Sequence, residues 1–597
     1  MGLRNIYQLL DLAASRFGDA PALHQPYAQE GNRHYHTYSW NEYRRAVEEV
    51  AAGLHGLGVA RGEIVAIDCE TRVEFYWADL GIMAAGGVAA ALYTSYPAGD
   101  QIRTLAVCGA KVAFVEDAAM LAHLRTAPVE QWIVLTGEAE GAITLEDLRA
   151  MGRRAIAKDP TLVERMTAAV EPGDYAILYL TSGATGEPKM ALVKHEALLA
   201  NVAMGPAVLP LGPEDRTVAF LPSAHIAQRV VIELLPLVGG MPVTFSESLL
   251  KLPQEIKTVR PTVLLAPPRM WERIYSTVCT EVKKRPAVMQ KAFWGALALA
   301  LAAARYRREG KPVPARIRGP LKMADRLFFH RIRARFGGAL KVPASGAAPL
   351  SRQLAEFYDA IGMPLVEGYG LTEGGVTVLN PLDAPRAGSI GKPLPGVEVR
   401  IAGDGELLIQ GPCLFSGYFN DPVTTAEVLR DGWLHTGDIA HIDSDGFVYI
   451  TGRKKELIVS STGKKIFPSR IEHLFKMEPL ISQVLLLGDD LPYLTALFTI
   501  NAGVLETLKG MEGFKGRPAA ELIAAPPLAA ELRKVVERVN RQLAPFEQVR
   551  KYRVLARDFS IEQGELTATL KVRRTRVMEN FRGEIADLYS GHGPAAE

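Results

Sequence analysis

The sequence predicts an α/β fold in which layered, mostly parallel sheets are followed by a second, smaller α/β unit. Three observations carry this. Short apolar runs ending in turn signals alternate with segments of helical period, as strand–helix–strand units do. Near Val397 that alternation gives way to paired short strands around Asp-Gly turns. Beyond Arg453 it resumes on a smaller scale.

The elements follow in order. In "YSWNEYRRAVEEVAAGLHGLG", Ser39 is placed to cap a helix and Glu42 to complete a capping box; Tyr43, Val47, Val50, Leu54 and Leu57 share a face, and Gly58 marks a stop. "RGEIVAID" reads as a buried strand, as do "AKVAFVED", "WIVLTG", "TVAFLP" and "TVLLAPP". "VEVRIAGDGELLIQGP" and "GDIAHIDSDGFVYITGR" read as hairpins turning at Asp404-Gly405 and Asp445-Gly446. A calcium loop at "DSDG" is excluded, because His441 stands where the first acidic ligand is needed and no glutamate closes the loop. "LAAELRKVVERVNRQL" predicts a helix with Leu532, Val535, Val536, Val539 and Leu543 on one face. A boundary near Gly452–Glu456 divides the chain into residues 1–452 and 453–597.

Composition excludes several classes. The 597 residues carry a net charge of +2, which gives no global field for nucleic acid. Cys69, Cys108, Cys279 and Cys413 stand far apart, without metal-type pairing or a disulfide framework, which fits a reducing compartment. The N-terminus lacks a signal-peptide core, and Ile6 stands where a myristoylation signal wants Ser or Thr. The apolar stretch Ala292 to Ala304 is too short to span a bilayer, so a cytoplasmic protein is expected. From Arg305 to Arg335, however, 11 Lys and Arg face only 2 Asp and Glu. Beside that apolar stretch, such a segment is either the solvated face of a helical hairpin or a peripheral contact with the inner membrane face. Monomer and homodimer both remain open.

The chemistry centres on "YLTSGATGEPK", Tyr179 to Lys189. A buried strand ends there in a loop of Gly, Ser and Thr closed by a lysine, and the backbone N–H groups and hydroxyls of such a loop suit phosphate oxygens. A Walker A loop is excluded, since Pro188 stands where its second glycine is required.

Three further segments follow in order: "LVEGYGLTEGG" (Leu365 to Gly375), "GWLHTGD" (Gly432 to Asp438) and "GRKKELIVSSTGKKIFP" (Gly452 to Pro468). Together with the loop they resemble the signature motifs of the adenylate-forming, or AMP-dependent, synthetases, over nearly the whole chain. "APPRMWERIY", "SGAAPL" and "GELTATLKVRR" are most similar to the long-chain fatty acyl-CoA synthetase branch. The resemblance implies a large N-terminal domain of layered α/β subdomains with a β-barrel-like part, and a small mobile C-terminal domain. It also implies a reaction: ATP and a long-chain fatty acid give acyl-AMP, and CoA then takes the acyl group, with Mg2+ as cofactor.

It assigns residues as well. Thr181, Ser182, Gly183, Ala184, Thr185, Gly186 and Lys189 would hold the phosphates, and Gly346, Ala347, Glu367, Gly368, Tyr369 and Gly370 the adenine. Thr372 would sit near the α-phosphate, and Glu373 with Thr181 would hold Mg2+. Asp438 and Arg453 would take the ribose, and His225 in "LPSAHIAQR" would border the carboxylate. Lys571 would offset charge during adenylation, Lys455 would be the hinge, and Gly463 would let pantetheine approach.

This sequence departs from the pattern at Ala184, Met190 and Ala568, and Arg229 stands where some bacterial members have an aromatic gate. An aryl or medium-chain acid, or a carrier-protein thiol, would fit the same motifs. A non-catalytic nucleotide- or acyl-binding relative is disfavoured by the retained Lys571, Glu373, Asp438 and Arg453.

Overall fold

The computed structural model describes residues 2–29, 32–181, 189–461, 463–510, 514–515, 517–567 and 570–590. The capped helix forms at Trp40–Gly56 with the Ser39–Glu42 capping box in place, and it ends at the Leu57 cap. The predicted strands form at Ile64–Asp68, Val112–Val115, Gln131–Val134, Thr217–Ala219 and Val263–Ala266.

Ile64–Asp68 and Val112–Val115 lie in an eight-stranded sheet whose order runs Gly417–Tyr418, Lys189–Lys194, Tyr175–Thr181, Val88–Ala91, Ile64–Asp68, Val112–Val115, Gln131–Val134, Ile143–Thr144. Its strands from Tyr175–Thr181 to the Ile143 edge are parallel, whereas Tyr175–Thr181 and Lys189–Lys194 form an antiparallel hairpin. A second sheet joins Val263–Ala266, Val342–Ser345 and Val366–Leu371 in parallel, then turns back through Gly375–Leu379. The two Asp-Gly hairpins build an antiparallel sheet of Glu398–Ile401, Glu406–Gln410, Trp433–Ile442 and Val448–Arg453, with Leu429–Arg430 on one edge.

From Ile458 onward the apolar side chains collect into cores of their own. Ile471, Phe475, Phe498 and Leu532 lie in one, and Leu485, Leu555 and Val577 in another. The helix predicted there spans Pro526–Asn540 and buries Leu532, Val535, Val536 and Val539; Leu543 is buried just past its end. One element is longer than its apolar stretch suggests. Ala287–Arg308 is a 22-residue helix, long and apolar enough to cross a membrane by length and composition. Phe293, Leu297 and Ala300 on one side pack into a core of the large domain.

Candidate active site

Thr181 and Lys189, the described ends of the loop expected to hold phosphate, are direct partners across an antiparallel hairpin, at the C-terminal end of the Tyr175–Thr181 strand. Ser182, Gly183, Ala184, Thr185 and Gly186 fall outside the described residues. Lys189 Nζ stands 5.0 Å from the centre of the Tyr418 ring, a cation–π distance. Tyr418 in turn donates its hydroxyl proton to Glu373 Oε1 at 2.6 Å. The Met190 departure is absorbed by the core, where that side chain is buried.

Thr372 and Glu373 occupy the turn between Val366–Leu371 and Gly375–Leu379, whose ends pair as Leu371 with Gly375. Asn201 braces this turn from outside, accepting the Val376 N–H at 2.9 Å and donating to the Val376 carbonyl at 2.6 Å. The Phe415 N–H holds the Glu373 carbonyl at 2.9 Å. Gly370 is required by space: a Cβ there would lie 2.4 Å from the Gly375 carbonyl oxygen.

Asp438 and Arg453 are partners on adjacent antiparallel strands, and Arg453 Nε lies 3.0 Å from Asp438 Oδ1. Tyr369, one strand residue before Gly370, donates its phenol to Asp438 Oδ2 at 2.5 Å. Each Asp438 oxygen therefore already has a donor, and since a carboxylate oxygen accepts more than one hydrogen bond, diol hydroxyls can still be held. Ser345 and Glu367 sit side by side in parallel strands. Gly346 and Ala347 follow Ser345, and Ala347 takes φ 67°, an unusual conformation for a residue with a Cβ. A Cβ on Gly346 would lie 3.5 Å from the Gly368 carbonyl oxygen, so these two chain segments face each other closely. Glu367 is buried and accepts the Leu350 N–H at 3.0 Å, and burial pushes its pKa up to about 8.

His225 accepts the Ala227 N–H on Nδ1 at 3.2 Å, which places its proton on Nε2. Burial in the cleft wall and the charge of Lys571 hold its pKa down to about 3, so the ring is neutral. Lys571 arrives from the small domain on a tight hairpin closed by a Leu566–Val572 bridge. The Thr567 N–H bonds the Lys571 carbonyl at 2.8 Å, and Thr567 Oγ1 accepts the Lys571 N–H at 3.1 Å. Leu570 just before it takes φ 64°.

The surface of Lys571 is open to the cleft, yet protein crowds its ammonium. Burial first, and Arg453 second, lower its pKa to about 8, against the opposing pull of Asp438, Glu456 and Glu373. Lys571 thus lies within electrostatic range of Glu373, Asp438, Arg453 and His225.

The small domain is held there by contacts from the "APPRMWERIY" helix, Pro268–Lys283: Arg269 to Asp558 at 3.2 Å and Ser276 to Asn501 at 3.0 Å. Arg573 adds a cation over the Tyr96 ring at 5.0 Å. Lys455 is exposed in the short 3-10 turn Lys454–Glu456 that joins the domains. Its neighbour Lys454 is anchored to Asp404 of the large domain at 2.5 Å. Gly463 lies in the small domain's hairpin of Ile458–Val459 and Lys465–Ile466, at φ 75° with no atom near where a Cβ would be; its backbone, not its size, calls for glycine.

Sequence reasoning missed Tyr418, Asn201 and the Arg269–Asp558 contact. Tyr418 sits in "SGYFN", a turn-like stretch whose pairing with Ala191 on the phosphate hairpin only the fold creates.

The family model described as AMP-binding enzyme matches residues 10–419, and that of the AMP-binding enzyme C-terminal domain matches residues 455–593. The chain is 35% identical over 560 residues to a long-chain-fatty-acid–CoA ligase of Mycobacterium bovis, covering 92% of each chain. It is 29% identical to the long-chain-fatty-acid–CoA ligase ACSBG2 of Rattus norvegicus, covering 98% of this chain and 93% of that one. In fold it is similar to the adenylation domain of a carboxylate reductase from Mycobacterium chelonae, with a TM-score of 0.75 and 21% identity over 99% of this chain and 91% of that one. On these matches, which span both domains, the chain belongs to the AMP-binding enzyme family.

Proposed function

We propose that this protein activates a long-chain fatty acid with ATP and passes the acyl group to CoA. The observation that carries the reading is the delivery of Lys571, from the small domain, into the cleft that holds Glu373, Asp438, Arg453 and His225. The fatty acid carboxylate attacks the α-phosphorus, the acyl–O–P bond forms and pyrophosphate leaves. Negative charge builds on the phosphoryl oxygens, and Lys571 and Lys189 are placed to offset it. Neutral His225 adds an Nε2–H donor without competing for the carboxylate as a second cation. Rotation about Lys455 then withdraws Lys571 and brings Gly463 to the site. The CoA thiolate attacks the acyl carbon, and AMP departs.

Mg2+ suits the donors present. A hard cation beside phosphates needs only one or two protein oxygens. Glu373 engages one of its oxygens with Tyr418 and makes no hydrogen bond through Oε2 to a described residue. Glu373 and the Thr181 hydroxyl would hold the ion, which supplies charge compensation on the phosphates when bound.

A screen of carboxylic acids by pyrophosphate release, with CoA present, tests the reading. Release with long-chain acids and acyl-CoA as product is expected. Release only with aryl or medium-chain acids, or product only with a carrier-protein thiol, would reassign the substrate. The pH profile adds a second check. Lys571 acts as a cation, so kcat/KM for adenylation should fall as pH rises through about 8. In Lys571→Arg that limb should vanish from the accessible range, because a guanidinium does not lose its proton there. A wild-type profile flat to pH 10 would remove Lys571 from this task.

The basic segment supports peripheral membrane binding as part of the same proposal. On the helix Ala315–Ala324 and the π-helix Asp325–Phe329 that continues it, Arg316, Lys322 and Arg326 are exposed, as are Met323 and Leu327, 63% and 51% exposed. Cations flanking apolar side chains suit anionic lipid, at ~1 kcal/mol per basic residue near the surface. Co-sedimentation with phosphatidylglycerol vesicles should succeed at low salt and weaken as salt rises. Absence of binding at every salt concentration would return the segment to a solvated surface.

A further inference from the structure

One to two turns beyond His225 lies a group of polar side chains with no evident task. The Arg229 N–H bonds the His225 carbonyl at 3.2 Å, and residues Gln228–Leu234 form a π-helix, an irregularity frequent at functional sites. Arg229 and Gln228 are wholly buried, and Asp79, Glu233, Tyr43 and Tyr179 are each 1% exposed. Arg229 contacts the Asp79 carboxylate, and its guanidinium carbon lies 5.3 Å from the Tyr179 ring centre. The Glu233 carboxyl lies within electrostatic range of Arg229, Tyr43 and Tyr179, so all of these share one neighbourhood.

Among the described residues, both oxygens of Glu233, Gln228 Oε1 and the phenol oxygens of Tyr43 and Tyr179 have no hydrogen-bond partner. Most buried polar atoms in protein interiors have a partner, and several unmatched in one place call for a reason. An alkyl chain has no use for them.

We propose that this cluster recognises a neutral oxygen function, a hydroxyl, carried on the chain of the acid being activated. The inference rests on the ligase reading and names the substrate class of the same site. Arg229 and Asp79 cancel in charge, and burial pushes the Glu233 carboxyl well above the usual carboxylate range, towards its neutral form. The cluster therefore offers donors and acceptors with no spare charge. That mixture matches a hydroxyl, which donates once and accepts twice; a second carboxylate would find Arg229 already committed to Asp79. The cluster follows His225 by one to two helical turns, so the hydroxyl belongs within the acyl chain and not beside the carboxylate.

The test measures kcat/KM by pyrophosphate release for stearate and a series of mid-chain hydroxystearate isomers. At least one isomer should exceed stearate by ~10-fold or more, since sites built around a substrate hydroxyl reject analogues lacking it. Tyr179→Phe, nearly isosteric, should cut that ratio several-fold, and Arg229→Met should bring it close to one. Arg229→Met leaves Asp79 unpaired and can misfold, in which case the Tyr179→Phe ratio decides. If wild type uses stearate as well as every isomer, the cluster holds only water and the proposal falls while the ligase reading stands. If no acid, stearate included, releases pyrophosphate, both fall together.

Discussion

Lys571→Ala should lower acyl-adenylate formation by ~10²–10³-fold, the scale for losing one placed electrostatic stabiliser, and should spare acyl transfer from supplied acyl-adenylate to CoA. The split follows from where the residue comes from. Lys571 reaches the cleft with the small domain docked through contacts that include Arg269–Asp558, Ser276–Asn501 and Arg573 over Tyr96. The thiol step is proposed to occur with that domain turned away. Single-turnover pyrophosphate release measures the first half-reaction, and acyl-CoA from isolated acyl-adenylate measures the second. Equal loss in both would show that Lys571 supports the fold or binds nucleotide in both states.

Lys455→Pro should give the opposite result: pyrophosphate release retained and acyl transfer reduced by orders of magnitude. Proline locks φ near −65° and removes a backbone donor. The turn Lys454–Glu456 is one 3-10 step between strands belonging to different domains, and Lys454 before it is fixed to Asp404. Rotation is thereby concentrated in very few bonds, and stiffening one of them should trap the docked arrangement. Loss of adenylation with transfer intact would mean that proline selects the other arrangement; loss of neither would move the hinge elsewhere.

How much of this was legible in the sequence depended on whether the information was local. The Ser39–Glu42 box, the Asp-Gly hairpins and the Pro526–Asn540 helix follow from residues a few positions apart, and they formed with only end effects at Leu57 and Leu543. Lys571, Glu373 and Asp438 could be nominated by motif, because their chemistry is carried in short contiguous strings. What no string contains is pairing across the fold. Tyr418 meets Glu373 only because the Gly417–Tyr418 strand adds to the phosphate hairpin, and Asn201 braces the acidic turn from a distant helix. Arg229 showed the same limit: as a departure from an aromatic gate it said nothing of Asp79, 150 positions earlier, whose carboxylate it meets in the interior.

The cross-strand register of Asp438 with Arg453 has a consequence for the fate of the intermediate. Arg453 is the last strand residue before the proposed hinge at Lys455, so with rotation there the proposed ribose clamp would sit next to the axis itself. Points on an axis do not travel when a body turns. The acyl-adenylate would therefore keep its grip on the sugar throughout the swing while everything farther out is exchanged, and the reactive anhydride would have no moment of free diffusion in which water could consume it. Leakage, measured as AMP formed per acyl-CoA produced, should stay near one in the intact protein and climb when Asp438 can no longer hold its end.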